Sequence, residues 1–164
     1  MGDKFKILVV CLGNICRSPT AEAVLRRAIE DAGLRDRVVV DSAGTGDWHI
    51  GSPPDPRMTE AAARAGITLG GVAQQVVADQ LAEHDIILAM DRHNLFDLRA
   101  LAAGDERLLS RIHLLRDFEP GASGRDVPDP YYGGEDGFGE VVDIITRAAE
   151  GVLDHVRGSL EAVS

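Results

Sequence analysis

The amino-acid sequence predicts an α/β protein in which helices cover both faces of an open, mostly parallel sheet of four strands. Short apolar runs that suit buried strands alternate along the chain with segments whose apolar residues recur at helical spacing, and this alternation is typical of parallel sheets. The chain has 164 residues, of which 45% are hydrophobic. This is enough for one sizeable core, so we expect residues 1–164 to form a single domain.

The first predicted unit is a strand, a short loop and a helix. Phe5 to Val10 is an apolar run that suits a buried strand, and Ala21 to Ala32 places apolar side chains at helical spacing. Ser18 is expected to cap this helix, with Pro19 at the first helical position, where a missing N–H is tolerated. A second strand is predicted over Val38 to Asp41, because three consecutive valines favour extended backbone.

The middle of the chain repeats the alternation. A helix is predicted from Asp55 to Ala65, opened by an aspartate-proline pair and ended by Gly66. The apolar run Asp85 to Met90 is the third predicted strand, and a helical stretch follows it from about His93 to Ala102. Ile112 to Leu115 is predicted to be a fourth, short strand.

A long closing helix has the clearest pattern in the chain. Its apolar residues follow one stripe of 3.6-residue period, which consists of Phe138, Val141, Val142, Ile145, Ala149, Val152 and Val156. Two long loops rich in Gly, Pro and Asp separate the predicted elements, at Gly44 to Asp55 and at Phe118 to Gly137. Because loops of this length in a compact domain are commonly functional, we expect both to contribute to a site.

The overall charge excludes several classes of partner. Seventeen basic against 27 acidic residues give a formal charge of −10, which repels nucleic-acid phosphates and anionic lipid. No stretch approaches the roughly 18 to 20 continuous apolar residues that a membrane span needs, and the segment Met1 to Lys6 does not open a signal-peptide pattern. We therefore expect a cytoplasmic protein with no nucleic-acid or membrane partner. Its two cysteines, Cys11 and Cys16, are then expected to be reduced thiols.

The segment from Cys11 to Ser18, here called the anion loop, lies between the first strand and the first helix. Backbone N–H groups and the helix dipole, worth roughly half a positive charge, attract anions to such a place. Gly13 and Asn14 both tolerate the left-handed backbone of a tight loop, and the guanidinium of Arg17 matches two oxygens of a phosphate. We infer a site for a tetrahedral oxyanion, and we expect Cys11 to be a nucleophilic thiolate in this positive field.

The motif CLGNICRS resembles the C-x5-R-[ST] signature near the N-terminus of the low-molecular-weight protein tyrosine phosphatases. Further segments extend the resemblance over nearly the whole sequence. DPYYG, from Asp129 to Gly133, is similar to the D-P-Y motif that carries the family's general acid. SAGT, from Ser42 to Thr45, is similar to a segment after the family's second strand, and Asp91 matches an aspartate that ends a later strand.

The resemblance implies a flavodoxin-like fold and a protein-tyrosine phosphatase that forms a cysteinyl-phosphate intermediate. Cys11 is then the nucleophile, Arg17 holds the phosphate, and Asp129 acts first as general acid and then as general base. The loop residues expected to bind phosphate are Leu12, Gly13, Asn14, Ile15, Cys16, Arg17 and Ser18. No metal or other cofactor is expected, and the five histidines are scattered along the chain.

The same resemblance implies supporting roles in the anion loop. Ser18 is expected to donate a hydrogen bond to the sulfur of Cys11, in addition to capping the helix. Asn14 and Ser42 resemble the pair that fixes the strained turn of the loop. Asp91 is expected to support the site, although a plain helix N-cap is an equal alternative for this residue.

Aromatic residues and the second cysteine complete the expected site. Trp48, Tyr131 and Tyr132 resemble the walls of the family's substrate cleft, which favour a flat phosphotyrosine ring. Tyrosine-phosphorylated proteins are therefore the implied partners, with a tyrosine kinase among them. Cys16 matches the family's second loop cysteine, which implies a reversible protective disulfide with Cys11, and a simply packed thiol is the alternative.

One segment departs from the family pattern. Where the family usually has H-x-A-R-Q, with a histidine that supports the loop asparagine, this chain has GGVAQQ over Gly70 to Gln75. Gly71 and Gln74 stand at the places of the histidine and the arginine. We therefore expect Asn14 to keep its structural role with a different partner.

Two enzymatic alternatives and one non-catalytic alternative are open. Arsenate reductases that use the same loop need further cysteines, and no cysteine follows Cys16. Protein-arginine phosphatases have an anion loop that resembles C-x-G-N-T-C-R. This chain has Ile15 in place of the threonine, which favours phosphotyrosine as the substrate. A phosphate-binding module would need Arg17 but neither Cys11 nor Asp129, and the sequence has all three.

Overall fold

The computed structural model describes residues 4–130 and 136–163. The strands in these residues are β1 (Phe5–Cys11), β2 (Val38–Gly44), β3 (Ile86–Ala89) and β4 (Ile112–Leu114). The helices are α1 (Arg17–Asp31), α2 (Pro56–Arg64), α3 (Ala78–Glu83), α4 (Arg92–Leu101), α5 (Glu106–Leu109) and α6 (Asp136–Val163), and a 3-10 helix spans Leu115–Phe118.

The four strands form one sheet in the order β2-β1-β3-β4. All three pairings are parallel, so the sheet is wholly parallel and confirms the predicted fold class. Val9 of the central strand β1 lies opposite Ser42 on one side and opposite Leu88 on the other. Because parallel strands run in one direction, the loops that follow β1, β2 and β3 meet at the same edge of the sheet.

Two hydrophobic layers cover the sheet. Ile7 and Val9 point toward α1, α2 and α6, whereas Leu8 and Val10 point toward α3 and α4. This alternation follows from strand geometry, in which successive side chains lie on opposite faces. Burial on both faces explains why β1 is continuously apolar from Ile7 to Cys11, and it confirms the prediction of helices on both sides.

Helix α1 begins at Arg17 rather than at Pro19, and Cys16 stands at its N-cap position without a side-chain cap. The prediction that Ser18 caps this helix is therefore wrong. Its hydroxyl is fully buried and contacts Cys11 and Asn14 instead, so it is not available to the helix end. Pro19 lies within the first turn, where its missing N–H costs no intrahelical hydrogen bond.

The other predicted elements have nearly the predicted bounds. The structure differs in a longer β2 and in three short helices that were not predicted. β2 continues through Gly44, because its ladder with β1 extends to the pair of Cys11 and Gly44. Helix α2 begins at Pro56, one residue after the predicted start, because Asp55 is its N-cap: the Asp55 carboxylate accepts the N–H of Arg57 at 2.8 Å. Helices α3 and α5 and the 3-10 helix were not predicted, since they are too short to show a helical period.

Helix α6 is the longest element and spans 28 residues. Its predicted stripe is buried, from Phe138 through Val141 and Val142 to Val156. Within the ranges that the structure describes, no helix is both long enough and apolar enough to cross a membrane.

Candidate active site

The anion loop joins β1 to α1 at the carboxyl edge of the sheet. Asn14 has a left-handed backbone, with φ of 58°, which asparagine tolerates better than most residues. The N–H groups of Thr45 and Gly46 donate to the carbonyls of Cys11 and Leu12, both at 2.9 Å. The loop is therefore fixed against the end of β2.

Gly44 makes this close approach possible. A Cβ at this position would lie 2.7 Å from the carbonyl oxygen of Leu12 and 3.1 Å from the amide nitrogen of Asn14. Such distances exclude a side chain without movement of the backbone, so the residue is required by packing rather than by its φ angle. The SAGT segment is visible in the sequence, but the packing role of its glycine becomes apparent only in the fold.

The sulfur of Cys11 lies at the start of the loop, and the residue is only 2% exposed. Its Sγ is 3.0 Å from the Oγ of Ser18, as the resemblance implied, and it accepts the backbone N–H of Asn14 at 3.3 Å. Hydrogen-bond donors around sulfur stabilise negative charge on it. These contacts therefore suit a thiolate.

Asn14 is held through both atoms of its side-chain amide. Its Nδ2 donates to the Oγ of Ser18 at 2.8 Å and to the Oγ of Ser42 at 3.1 Å. Its Oδ1 accepts the backbone N–H of Gln74 at 2.9 Å, and the side chain of Gln74 donates to the carbonyl of Ser42 at 2.8 Å. Gln74 is thus the partner that the sequence analysis left open, while Gly71 borders a neighbouring cavity of about 210 Å³.

The guanidinium of Arg17 is buried beneath the loop, at 3% exposure. Its Nη1 donates to Asp91 at 2.6 Å and to the carbonyl of Val127 at 3.0 Å, and its Nη2 lies 3.6 Å from Oδ2 of Asp129. Burial opposes its charge, but the negative charges of Cys11 and Asp91 outweigh burial and raise the pKa of Arg17. The residue therefore stays a cation inside the site.

Asp91 has both of the roles that the sequence left open. One carboxylate oxygen accepts the N–H of Asn94 at 2.7 Å and so caps α4, and the other binds Arg17. A helix cap and the orientation of the arginine are therefore coupled in one side chain.

Three predicted catalytic residues line one cavity of about 460 Å³. The lining residues are Cys11, Leu12, Gly13, Ile15, Cys16, Arg17, Trp48, His49 and Asp129. Trp48 is 70% exposed, which puts its ring at the rim, and Gly46 packs directly beneath that ring. Tyr131 and Tyr132 lie outside the described residues.

His49 is a lining residue that the sequence analysis did not select. A Cβ on Gly13 would lie 2.9 Å from Cδ2 of His49, so the imidazole packs closely against the anion loop. The length of the Gly44 to Asp55 loop and its Trp48 indicated that this loop reaches the site. The histidine itself gave no signal, because an isolated histidine has no characteristic spacing.

Cys16 lines the cavity as a buried thiol. Burial raises its pKa to about 12, and the negative charges of Asp55 and Cys11 add to the shift. Asp55 is itself charged, because hydrogen bonds from Arg57 lower its pKa despite burial. Both Cys11 and Cys16 are free thiols in this structure.

No group of three or more His, Cys, Asp or Glu side chains is arranged to hold a metal ion within residues 4–130 and 136–163. The lining includes the guanidinium of Arg17, which suits an anion.

Comparison with known proteins relates this geometry to a family. The model of the family described as low molecular weight phosphotyrosine protein phosphatase matches residues 6–162. A low molecular weight protein-tyrosine-phosphatase of Streptomyces coelicolor is 45% identical over 159 residues, which are 96% of each chain. The crystal structure of a protein tyrosine phosphatase from Entamoeba histolytica has a TM-score of 0.90 at 36% identity and covers 95% of this chain and 99% of its own.

The structure of YfkJ from Bacillus subtilis has a TM-score of 0.89 at 41% identity, with 96% of this chain and 98% of that chain covered. These similarities extend over the sheet, the anion loop and the segment that carries Asp129. The chain belongs to the low molecular weight phosphotyrosine protein phosphatase family.

Proposed function

We propose that the protein is a metal-independent protein-tyrosine phosphatase that hydrolyses phosphotyrosine in proteins. The convergence of Cys11, Arg17 and Asp129 on one cavity carries this proposal. Hydrolysis of an aryl phosphate needs a nucleophile, an anion clamp and a proton donor, and these three side chains supply them. The relatives named above as protein-tyrosine phosphatases support the same activity.

The reaction has two steps. In the first, the thiolate of Cys11 attacks phosphorus, an S–P bond forms, and the P–O bond to the aromatic ring breaks. Asp129, as a carboxylic acid, gives its proton to the leaving oxygen, so that tyrosine departs neutral. In the second, the Asp129 carboxylate takes a proton from water while the water oxygen attacks phosphorus. The S–P bond then breaks, and Cys11 returns to the thiolate as phosphate is released.

Fixed donors stabilise the charge that develops on the phosphoryl group. We expect Arg17 and the backbone amides of residues 12–18 to bind its oxygens, because Arg17 and several of these residues line the cavity. Nη1 of Arg17 is already oriented by Asp91 and Val127, so little reorganisation is needed when phosphate binds. This preorganised positive field does the electrostatic work that metal ions do in other phosphoryl-transfer enzymes.

Three hydroxyl and amide side chains support the nucleophile. Ser18 stabilises the sulfur as a thiolate when it becomes the leaving group in the second step. Asn14 and Ser42 hold the left-handed turn that aims the loop amides inward. These residues act through the loop rather than on the substrate.

The depth of the cavity favours tyrosine as the phosphorylated residue. Cys11 is almost fully buried, while Trp48 stands at the rim, so the phosphate must be carried on a long side chain. A flat ring can pack beside the indole of Trp48, whereas the short side chain of phosphoserine does not reach the sulfur. Tyr131 and Tyr132 are proposed as further walls of the cleft.

Cys16 is proposed as the residue that protects Cys11 from oxidation. When a peroxide converts Cys11 to a sulfenic acid, Cys16 condenses with it, and a disulfide and water form. The raised pKa of Cys16 makes this thiol a slow nucleophile, so the reaction depends on its nearness to Cys11.

Partners and location follow from the activity. Tyrosine-phosphorylated proteins are the substrates, and an autophosphorylated tyrosine kinase is proposed as one of them. The proposed location is the cytoplasm, where thiols stay reduced and the Cys11 nucleophile remains active.

The proposal is tested by phosphate release from phosphotyrosine, phosphoserine and phosphoarginine peptides, with reductant and EDTA present. We expect hydrolysis of the phosphotyrosine peptide alone, and complete loss of it in Cys11→Ser. Selective hydrolysis of phosphoarginine would replace the proposed substrate class. Phosphate binding without hydrolysis of any peptide would contradict the enzymatic proposal.

A further inference from the structure

The loop that carries Asp129 is fixed at a residue close to it. The described part of this loop, residues 119–130, is here called the acid loop. The N–H of Val127 donates to the carbonyl of Met90 at 2.7 Å, and the carbonyl of Val127 accepts from Arg17 at 3.0 Å. The side chain of Val127 is fully buried. The peptide that precedes Pro128 and Asp129 is therefore tied to the sheet and to the anion loop.

Arg116 binds the residue that precedes Val127 in the acid loop. Its Nη1 donates to the backbone carbonyl of Asp126 at 2.9 Å. Its Nε and Nη2 donate to the two carboxylate oxygens of Glu119, at 3.1 and 3.2 Å, in a two-point arrangement that fixes the plane of the guanidinium. Both side chains are nearly buried, at 11% and 10% exposure, and Arg147 of α6 adds a second cation 3.7 Å from Glu119.

A second arginine also binds Asp126, but at the surface. Arg92 contacts the carboxylate of Asp126 through its side chain at 3.2 and 3.4 Å, and its own backbone N–H donates to that carboxylate at 2.9 Å. The side chain of Arg92 is 73% exposed, and exposed ion pairs contribute little to structure. Arg116 and Arg92 therefore touch the same residue from a buried and from an exposed position.

Position matters for Asp129 because a general acid must lie within hydrogen-bond reach of the oxygen that it protonates. A displacement of about 1 Å in a reacting group can cost about a hundredfold in rate. We propose that Arg116, oriented by Glu119, is a positioning residue: it holds the carboxyl group of Asp129 within hydrogen-bond reach of the leaving oxygen. The inference rests on the proposed phosphatase function, and it assigns to Arg116 no contact with substrate.

The test compares kcat/KM of wild type and Arg116→Gln over a series of aryl phosphates, from p-nitrophenyl phosphate to phenyl phosphate. A poor leaving group depends more on protonation than a good one. We expect Arg116→Gln to lose about 10- to 100-fold on phenyl phosphate and at least several-fold less on p-nitrophenyl phosphate, on the scale of a misplaced general acid. The slope of log kcat/KM against leaving-group pKa thus becomes steeper. Because every substrate sees the same enzyme sample, partial misfolding cannot change this slope.

Two further variants sharpen the test. Arg92→Gln removes the same charge beside the same residue but from the surface, and it should change neither the slope nor the rate by more than about twofold. In Asp129→Asn the acid is absent, so adding Arg116→Gln to that variant should cost no further rate. Equal losses on all substrates, or a full additional loss in the double variant, would overturn the role of Arg116. Failure of the wild type to hydrolyse any aryl phosphate would instead contradict the phosphatase function.

Discussion

At the scale of single residues, the two cysteines of the anion loop show how surroundings separate one thiol from another. Cys11 receives the N–H of Asn14 and contacts the hydroxyl of Ser18. Cys16 lies in the same cavity, but burial and the charge of Asp55 raise its pKa to about 12. The two thiols therefore differ in their contacts: Cys11 has hydrogen-bond partners at its sulfur, whereas burial keeps Cys16 neutral.

This difference predicts selective alkylation. Treatment of the folded protein with iodoacetamide near pH 7.5 should modify Cys11 and leave Cys16 intact, because a thiol with a pKa of about 12 is ionised in well under one molecule in a thousand at that pH. Peptide mass spectrometry locates the label. Inorganic phosphate should slow the reaction, since it occupies the site beside Cys11.

Two controls accompany this measurement. Cys11→Ser should take up no label while folded, and both cysteines of the wild type should react in urea. Labelling of Cys16 in the folded protein at a rate similar to that of Cys11 would contradict the assigned difference between the two thiols.

The side chains proposed to be catalytic could be identified from the sequence, but several contacts around them could not. Cys11, Arg17 and Asp129 belong to motifs with characteristic spacing, and the structure brings them to one cavity. Asn14 is held by the backbone N–H of Gln74, a group that almost any residue provides, so no residue type signals it. Arg116 likewise acts on a backbone carbonyl, which leaves no pattern in the sequence.

At the scale of elements, α6 packs against the 3-10 helix through a glycine. A Cβ on Gly151 would overlap the carbonyl of Phe118, whereas a Cβ on Gly158 in the same helix would meet no atom within 4 Å. Gly158 is also exposed. The two glycines thus separate the contribution of packing from that of helix propensity.

We expect opposite effects of alanine at these two positions. Gly158→Ala should raise the free energy of unfolding by up to about 1 kcal/mol, because alanine is the better helix former. Gly151→Ala should lower it by about 1 to 3 kcal/mol, since the cost of overpacking exceeds that gain. Urea unfolding followed by circular dichroism measures both. Stabilisation by both substitutions would show that the contact of α6 with Phe118 is not tight.

How well each element was predicted depended on its length and on whether local sequence or tertiary contacts determined its ends. The period of α6 extends over many turns and indicated the helix without ambiguity. The last residues of β2, Ser42 to Gly44, are small and polar enough to resemble a loop, and they are a strand because β1 pairs with them. The start of α1 was misjudged for a similar reason, because Ser18 bonds within the site instead of capping.

At the scale of the whole molecule, alternation predicted the class of fold but not the arrangement of its strands. Parallel strands must be joined by crossover connections, and here helices form these connections. Such crossovers are right-handed, and the helices that form them cover both faces of the sheet. The order β2-β1-β3-β4 puts β1 and β3 side by side, so that the anion loop and Asp91 meet. Strand order is a property of the folded sheet, and no local pattern in the sequence encodes it.

The stability of the whole molecule should depend on pH through a histidine between elements. The ring of His113 on β4 packs edge-on against Phe118, with centroids 5.8 Å apart, and Phe118 packs against His155 of α6 at 5.1 Å. Burial lowers the pKa of His113; Asp117 opposes this shift, and the charges of His155 and Arg99 add to it. The folded state therefore favours the neutral imidazole.

The sign of the pH dependence follows from this shift. In the unfolded chain the pKa of His113 is near the ordinary value of 6.5, and in the folded protein it is lower. As the pH falls, the unfolded chain therefore binds a proton at His113 before the folded protein does. The stabilisation is complete above that value and is lost as the pH falls through the lower pKa of the folded state. His113→Gln cannot titrate, so below pH 6.5 its free energy of unfolding should fall less steeply than that of wild type. Urea titrations between about pH 5 and 8 measure both slopes, and parallel curves over this range would show that His113 is equally protonated in the folded and unfolded states.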